Sequence, residues 1–168
     1  MTSPFLKISP EHYIAENDLV FAINDGYPVT LGHSLIVTKR LVPTWFEASQ
    51  EEQHAIIDLI NMVKTQLDKK YFPQGYNVGF NAGVAAGQTV SHLHVHIIPR
   101  YKNDVPDPSG GVRHVIPHLG NYLKMTPDEA WLKWYQKEIQ PAWRERWPDP
   151  TNVKAAFLAG AKWAGATE

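Results

Sequence analysis

Ser91-His92-Leu93-His94-Val95-His96-Ile97-Ile98-Pro99-Arg100 decides how the rest of the chain reads. Histidine recurs at every second position, with Leu93, Val95 and Ile97 between. Side chains alternate faces along a strand, so His92, His94 and His96 are predicted to share one face and the aliphatic residues the other. A helix, at about 3.6 residues per turn, would scatter the same three around its axis. The β-branched residues also favour extended backbone. Imidazole changes charge near neutral pH and serves as nucleophile, acid, base or ligand. Two chemistries fit the row. Three imidazoles can hold zinc and leave a fourth position for water. Alternatively, one attacks phosphorus while its neighbours handle charge and protons.

The residues just upstream separate these readings. Asn77-Val78-Gly79-Phe80-Asn81 alternates, and a loop of small residues follows, ending in Gly87-Gln88-Thr89-Val90. Glycines let backbone N–H groups approach an anion closely, and Gln88 and Thr89 add side-chain donors. No Asp, Glu or Cys occurs from Asn77 to Arg100, so local metal ligands would all be imidazoles. A phosphate suits this chemistry better than a metal, and no metal ligand is assigned.

With these residues in place, the chain resembles the histidine triad (HIT) family of nucleotide hydrolases and transferases. The family motif is His-φ-His-φ-His-φ-φ, with φ hydrophobic, and His92 to Ile98 satisfies every position. Pro99-Arg100 is more similar to the fragile-histidine-triad and diadenosine polyphosphate hydrolase branch than to the phosphoramidase branch, which usually has glycines there. The resemblance runs from about Leu19 to about Tyr122.

Composition agrees with a small enzyme. A chain of 168 residues can bury one good core. A formal net charge of −1 gives no global field toward nucleic acid or a membrane. The absence of cysteine excludes disulfides and thiol chemistry and fits a reducing compartment. With no signal or transmembrane pattern, the expected location is cytoplasmic.

Along the chain, Asp18–Ile23 and His33–Thr38 read as strands around the turn Asn24-Asp25-Gly26. Phe5 and Ile8 are expected to pack on the core. Ser49-Gln50-Glu51-Glu52 is a capping box opening a helix to about Tyr71, with Ile56, Ile60, Val63 and Leu67 as its apolar stripe. His54, off that stripe, is expected at the surface. Asn77–Asn81 and the triad make two more strands, and alternating Gly111–Ile116 suggests a fifth. Thr126-Pro127-Asp128-Glu129 is a helix start, followed by Trp131, Trp134, Tyr135 and Ile139 at helical spacing. A second C-terminal helix would carry Val153, Phe157, Gly160, Ala161 and Ala164. These helices either add core to their own subunit or cross to border a partner's nucleotide pocket.

The expected fold is α+β: an antiparallel sheet of about five strands covered by one long helix and C-terminal helices. Residues 1–124 would form the nucleotide-binding catalytic domain and residues 125–168 a helical extension. The resemblance implies a homodimer that hydrolyses nucleotide conjugates, most of all dinucleoside polyphosphates; the alternatives are a nucleoside phosphoramidase, a dinucleoside polyphosphate phosphorylase, or a nucleotide-binding sensor with little turnover. No tightly bound cofactor is expected, and Mg2+ would come with the substrate. The resemblance further implies His94 as nucleophile toward the α-phosphorus, with His96 and His33 at phosphate oxygens or the leaving group and His92 orienting them. Asn81, Gln88 and Thr89 would hold non-bridging oxygens. Asp25, eight residues before His33, would hold the ribose hydroxyls. Leu19, Phe21 and Ile23, or the residues on the opposite face, would line the base pocket.

Overall fold

Turn residues cut the first part of the chain into short strands. In a computed structural model, which describes residues 3–121 together with Leu123, Thr126, Asp128, Glu129, Lys154 and Ala155, these are β1 (Ala15–Glu16), β2 (Val20–Asn24) and β3 (Ser34–Thr38). Asn17 makes the first turn. Its N–H donates to the Val20 carbonyl at 3.0 Å. Its side-chain oxygen accepts the N–H groups of Leu19 and Val20 at 3.1 and 3.0 Å. Asp18 and Leu19 are used in that turn, so the strand expected from Asp18 starts at Val20.

Strands β4 (Gly75–Gly79) and β5 (His94–Arg100) complete an antiparallel sheet of order β1-β2-β3-β5-β4. Strand β4 lies slightly N-terminal to the expected Asn77–Asn81. The fifth strand is β1, not Gly111–Ile116. Residues Gly111–Val115 instead form a 3-10 helix. Gly110 and Gly111 take φ of 96° and 48° there, which coils the chain out of an extended path.

Helix α1 (Gln50–Tyr71) begins at the expected capping box. Ser49 Oγ accepts the Glu52 N–H at 3.2 Å, and Glu52 Oε2 accepts the Ser49 N–H at 2.8 Å. Arg40 also forks onto Glu52, its Nε and Nη2 at 2.9 and 2.7 Å. The helix buries Ile56, Leu59, Val63 and Leu67 against Val20, Ala22, Ile36, Val95 and Ile97 of the sheet. Leu59 takes the place expected for Ile60, which lies partly buried at the rim. His54 is exposed as expected.

The opposite sheet face carries a smaller apolar cluster, Phe21, Ile23, Leu35 and Val37, against which Phe5, Ile8 and Tyr13 pack.

The chain divides into two compact units, Met1–Val105 and Pro106–Glu168, so the break falls before the expected boundary at residue 124. In the second unit, Asn121 Nδ2 donates to Asp107 Oδ2 at 2.7 Å, and α2 (Pro117–Gly120) is a single turn. At the expected helix start Thr126 and Glu129 form a capping box, Glu129 N–H to Thr126 Oγ1 at 3.2 Å and Thr126 N–H to Glu129 Oε2 at 2.8 Å. Trp131, Trp134, Tyr135, Ile139, Val153, Phe157, Gly160, Ala161 and Ala164 lie outside the described residues. Among the described residues, no helix is long and apolar enough to cross a membrane.

Candidate active site

Cross-strand register assembles the site. Val37 pairs with both Phe21 and His94, and Leu35 with both Ile23 and His96. Directly paired residues point to the same face. Two rows, Phe21–Val37–His94 and Ile23–Leu35–His96, therefore lie side by side opposite α1. Phe21 and Ile23 share the histidine face, while Val20 and Ala22 face the helix. Leu19 lies before the strand.

Strand β5 starts at His94, so His92 is not part of it. His92 sits in a tight turn, its N–H on the Val90 carbonyl at 2.8 Å. Its ring stays on the side of His94, since the Phe5 ring lies 6.0 Å from His92 and 5.1 Å from His94. It is also fully buried. Its Nε2 reaches the carbonyls of Thr38 at 2.8 Å and Arg40 at 3.1 Å and the Thr38 hydroxyl at 3.0 Å, and Nδ1 meets Ser3 Oγ at 2.7 Å.

Neighbours that can only donate or only accept fix the proton on each ring. Carbonyls accept, so His92 carries its proton on Nε2 and accepts from Ser3 at Nδ1. His94 Nδ1 lies 2.7 Å from the His92 carbonyl, so its proton is on Nδ1 and Nε2 keeps a lone pair. The Val29 N–H donates to His33 Nδ1 at 3.3 Å, which puts the His33 proton on Nε2. That proton faces His96 Nδ1 at 3.0 Å, leaving His96 with Nε2–H. The row thus offers one free lone pair beside one N–H donor.

Burial disfavours the charged form of three of these rings. Burial pushes His33, His92 and His96 below the ordinary histidine value. For His96, the neighbouring His94 and His33 push the same way, while Asp25 pulls back. Asp25 also opposes the shift of His33.

Asp25 follows β2 directly, and its N–H on the His33 carbonyl at 3.0 Å closes the 25–33 loop. One carboxylate oxygen accepts the Tyr27 N–H at 2.8 Å. The other lies 3.4 Å from His33 Nε2 and 3.9 Å from His96 Nδ1. Donor atoms of Asp25, His33 and His96 fall within 4.8 Å of one another, so a carboxylate from outside the triad stretch enters the possible ligand set. A metal on His33 Nε2 would have to displace the proton that the Val29 N–H keeps there.

Gly32 delivers His33. Its φ is 83°, and a Cβ would meet the Tyr71 ring at 2.9 Å and Leu67 at 3.2 Å. The loop crosses the end of α1 where only glycine fits.

The phosphate-loop residues divide. Gln88 Nε2 donates to the carbonyls of Pro43 at 2.7 Å and Val90 at 3.0 Å, and Oε1 accepts the Gly83 N–H at 2.8 Å. Both amide hydrogens are used inside the protein, so Gln88 braces the loop, against the expectation of a donor to substrate. Thr89 is exposed and Asn81 half-buried just past β4. The sequence reading missed Ser3 and the carbonyls of Thr38 and Arg40. No local pattern marks a contact between residues 89 apart in sequence.

Comparison with known proteins agrees with this geometry. The HIT domain family matches residues 7–103, starting and ending earlier than the expected span. An uncharacterised HIT-like protein of Mycoplasma genitalium is 35% identical over 89 residues, 53% of this chain and 63% of that protein. The adenylylsulfatase HINT3 of Arabidopsis thaliana is 34% identical over 102 residues, 61% of this chain and 49% of that one. The asymmetrical bis(5'-nucleosyl)-tetraphosphatase of Schizosaccharomyces pombe is 38% identical over 77 residues, 46% of this chain and 42% of that one. The chain therefore spans less than two thirds of the length of each of these relatives. A HIT family structure from Bacillus subtilis superposes with a TM-score of 0.57 at 30% identity, over 62% of this chain and 77% of that chain. Sequence motif, sheet register and matched span converge: the chain belongs to the HIT family.

Proposed function

We propose that this HIT protein is a nucleotide hydrolase that cleaves AMP-containing conjugates, dinucleoside polyphosphates foremost, through a covalent nucleotidyl intermediate on His94. One observation carries the reading. His94 holds its proton on Nδ1 against the His92 carbonyl, which leaves Nε2 as an unprotonated nucleophile on the sheet face. The Nε2 lone pair attacks the α-phosphorus as the bond from phosphorus to the leaving oxygen breaks. His96 Nε2–H donates a hydrogen bond to that oxygen and stabilises the negative charge with which it leaves, and His33 Nε2–H holds the His96 ring in that orientation through its other nitrogen. Water then attacks phosphorus, the N–P bond returns its pair to Nε2, and AMP leaves while the proton lost by the water passes to solvent.

His92 orients the nucleophile through its carbonyl, and Asn81 and Thr89 hold the non-bridging oxygens with Gln88 bracing their loop. Phe21 and Ile23, on the histidine face, border the base. Asp25 takes the ribose hydroxyls only by sharing the oxygen it turns toward His33 and His96. Mg2+ accompanies a polyphosphate substrate, and the active species is a cytoplasmic homodimer. The tetraphosphatase relative supports a dinucleoside polyphosphate. The adenylylsulfatase relative favours a second leaving group, sulfate, on the same AMP half.

The test is a panel of AMP conjugates labelled at the α-phosphorus, assayed with and without added phosphate. Quenching within one turnover should trap acid-labile label on His94, and steady turnover should release AMP. Release of ADP in added phosphate would identify a phosphorylase. Turnover with no labelled histidine removes the covalent mechanism.

A further inference from the structure

We infer that Ser3 is a positioning residue, whose hydroxyl fixes the His92 imidazole and, through the His92 carbonyl, keeps the proton of His94 on Nδ1. It rests on the reaction proposed above only for its effect on rate.

Ser3 Oγ is committed on both sides. It accepts the Phe5 N–H at 3.2 Å, which turns its own proton toward His92 Nδ1 at 2.7 Å. Both partners are buried, Ser3 at 5% and His92 at 0% exposure, so water does not substitute for the bond. The opposite side of the ring is tied to β3 and its end by the Thr38 and Arg40 carbonyls. The His92 ring is therefore a cross-brace between the N-terminal segment and β3, and its own carbonyl receives the His94 proton.

Losing the Ser3 hydroxyl would leave a buried imidazole nitrogen without a donor. The ring would find another donor only by turning, and that breaks the hold of the Thr38 and Arg40 carbonyls. Rotation at His92 tilts the carbonyl that His94 depends on. Since Leu93 N–H, in the same peptide unit, stays on the Val42 carbonyl at 2.6 Å, the tilt concentrates at the His92 oxygen. His94 would then populate the tautomer with Nε2 protonated, which cannot attack phosphorus. The same anchor holds Phe5 against the His94 ring.

Side-chain 15N NMR of the full chain, with steady-state kinetics, tests this on Ser3→Ala, Ser3→Thr and Ser3→Cys. Wild type should show His92 protonated on Nε2 and His94 on Nδ1. Ser3→Ala should add an Nε2-protonated fraction of His94 and lower kcat about tenfold, as misplacing a reacting group does, with KM within about twofold. Ser3→Thr should restore both readouts, and Ser3→Cys, a weaker donor, should fall between. Nδ1-protonated His92 in wild type, or an unchanged His94 tautomer in folded Ser3→Ala, overturns the inference. Should Ser3→Ala not fold, Ser3→Cys and the wild-type tautomers decide. If wild type turns over no nucleotide conjugate, the proposed function fails while the NMR still decides the role of Ser3.

Discussion

The two faces of the sheet are made from differently distributed sequence. On the helix side, Ile56, Leu59, Val63 and Leu67 come from one continuous helix and meet alternate residues of neighbouring strands. On the histidine side, Ser3, Phe5, Asp25, His33 and the 92–96 stretch converge from separate segments, and polar bonds join them. One face is filled by repetition and the other by placement. Apolar burial is non-directional, so many sequences fill the first face. The second depends on single atoms. The division implies that stability resides mainly on one side and chemistry on the other, and substitutions can break or sharpen that separation.

The largest expected effect is His94→Ala. Removing a nucleophile costs several orders of magnitude, and a loss of at least about a thousandfold in kcat is expected. The apolar rows beneath His94 remain, so the thermal midpoint should stay near wild type and nucleotide binding should survive. Paired turnover and calorimetry check it. Residual turnover within about tenfold of wild type would remove His94 from the chemistry.

Leu59→Ala is the mirror experiment. Leu59 is fully buried under the sheet, and emptying such a site costs about 2–5 kcal/mol. Denaturant unfolding should report that loss, while kcat measured well below the melting range stays within about twofold. A kcat that falls with stability would show that the two faces are mechanically coupled.

Gly32→Ala probes a place where the loop carrying His33 meets α1. The left-handed φ and the Tyr71 ring at 2.9 Å both oppose a Cβ. A cost of about 1–3 kcal/mol is expected from the backbone alone. His33 is the next residue, so activity should fall as well, unlike in Leu59→Ala. Lost stability with intact kcat would separate His33 from the reaction.

What could be read from the sequence follows the same division. The period-two histidines, the Ser49–Glu52 capping box and the helix stripe are local patterns that reappear in the fold, with His92 just ahead of β5 and Leu59 in place of Ile60. Gly111–Ile116 also alternates, yet two left-handed glycines coil it, and alternation alone does not supply a strand partner. Ala15–Glu16, too short to show any pattern, takes the sheet edge because the Asn17 turn folds it back on β2. Gln88 was legible as a donor, but which acceptors it meets depends on Pro43, far away in sequence. Asp25 was legible as a turn residue, which it is; its second oxygen reaches the histidines only after β2, β3 and β5 pair. Ser3 carried no signal at all.

The smallest expected effect is the pH dependence of stability, and it distinguishes the faces without touching catalysis. Burial holds His33, His92 and His96 below the ordinary value of 6.5. Below that pH the unfolded chain takes up protons that the folded protein refuses, so the unfolded state binds more protons and stability falls with falling pH. Asp25, facing His33 and His96, and the Thr38 and Arg40 carbonyls, facing His92, reduce the shifts without reversing them. The relevant window runs from 6.5 down to the lowered folded values. The shifted carboxylates act at lower pH: Arg40 holds Glu52 below 4.5, and Arg100 holds Asp104 at about 2. Thermal midpoints from pH 7 to pH 5 should therefore drop by a few degrees in wild type. Leu59→Ala should lower the whole curve in parallel, because its loss involves no proton. His33→Asn should flatten the slope, since one of the proton-refusing groups is gone. An unchanged slope in His33→Asn, or a steeper one in Leu59→Ala, would mean that the linkage does not reside on the histidine face.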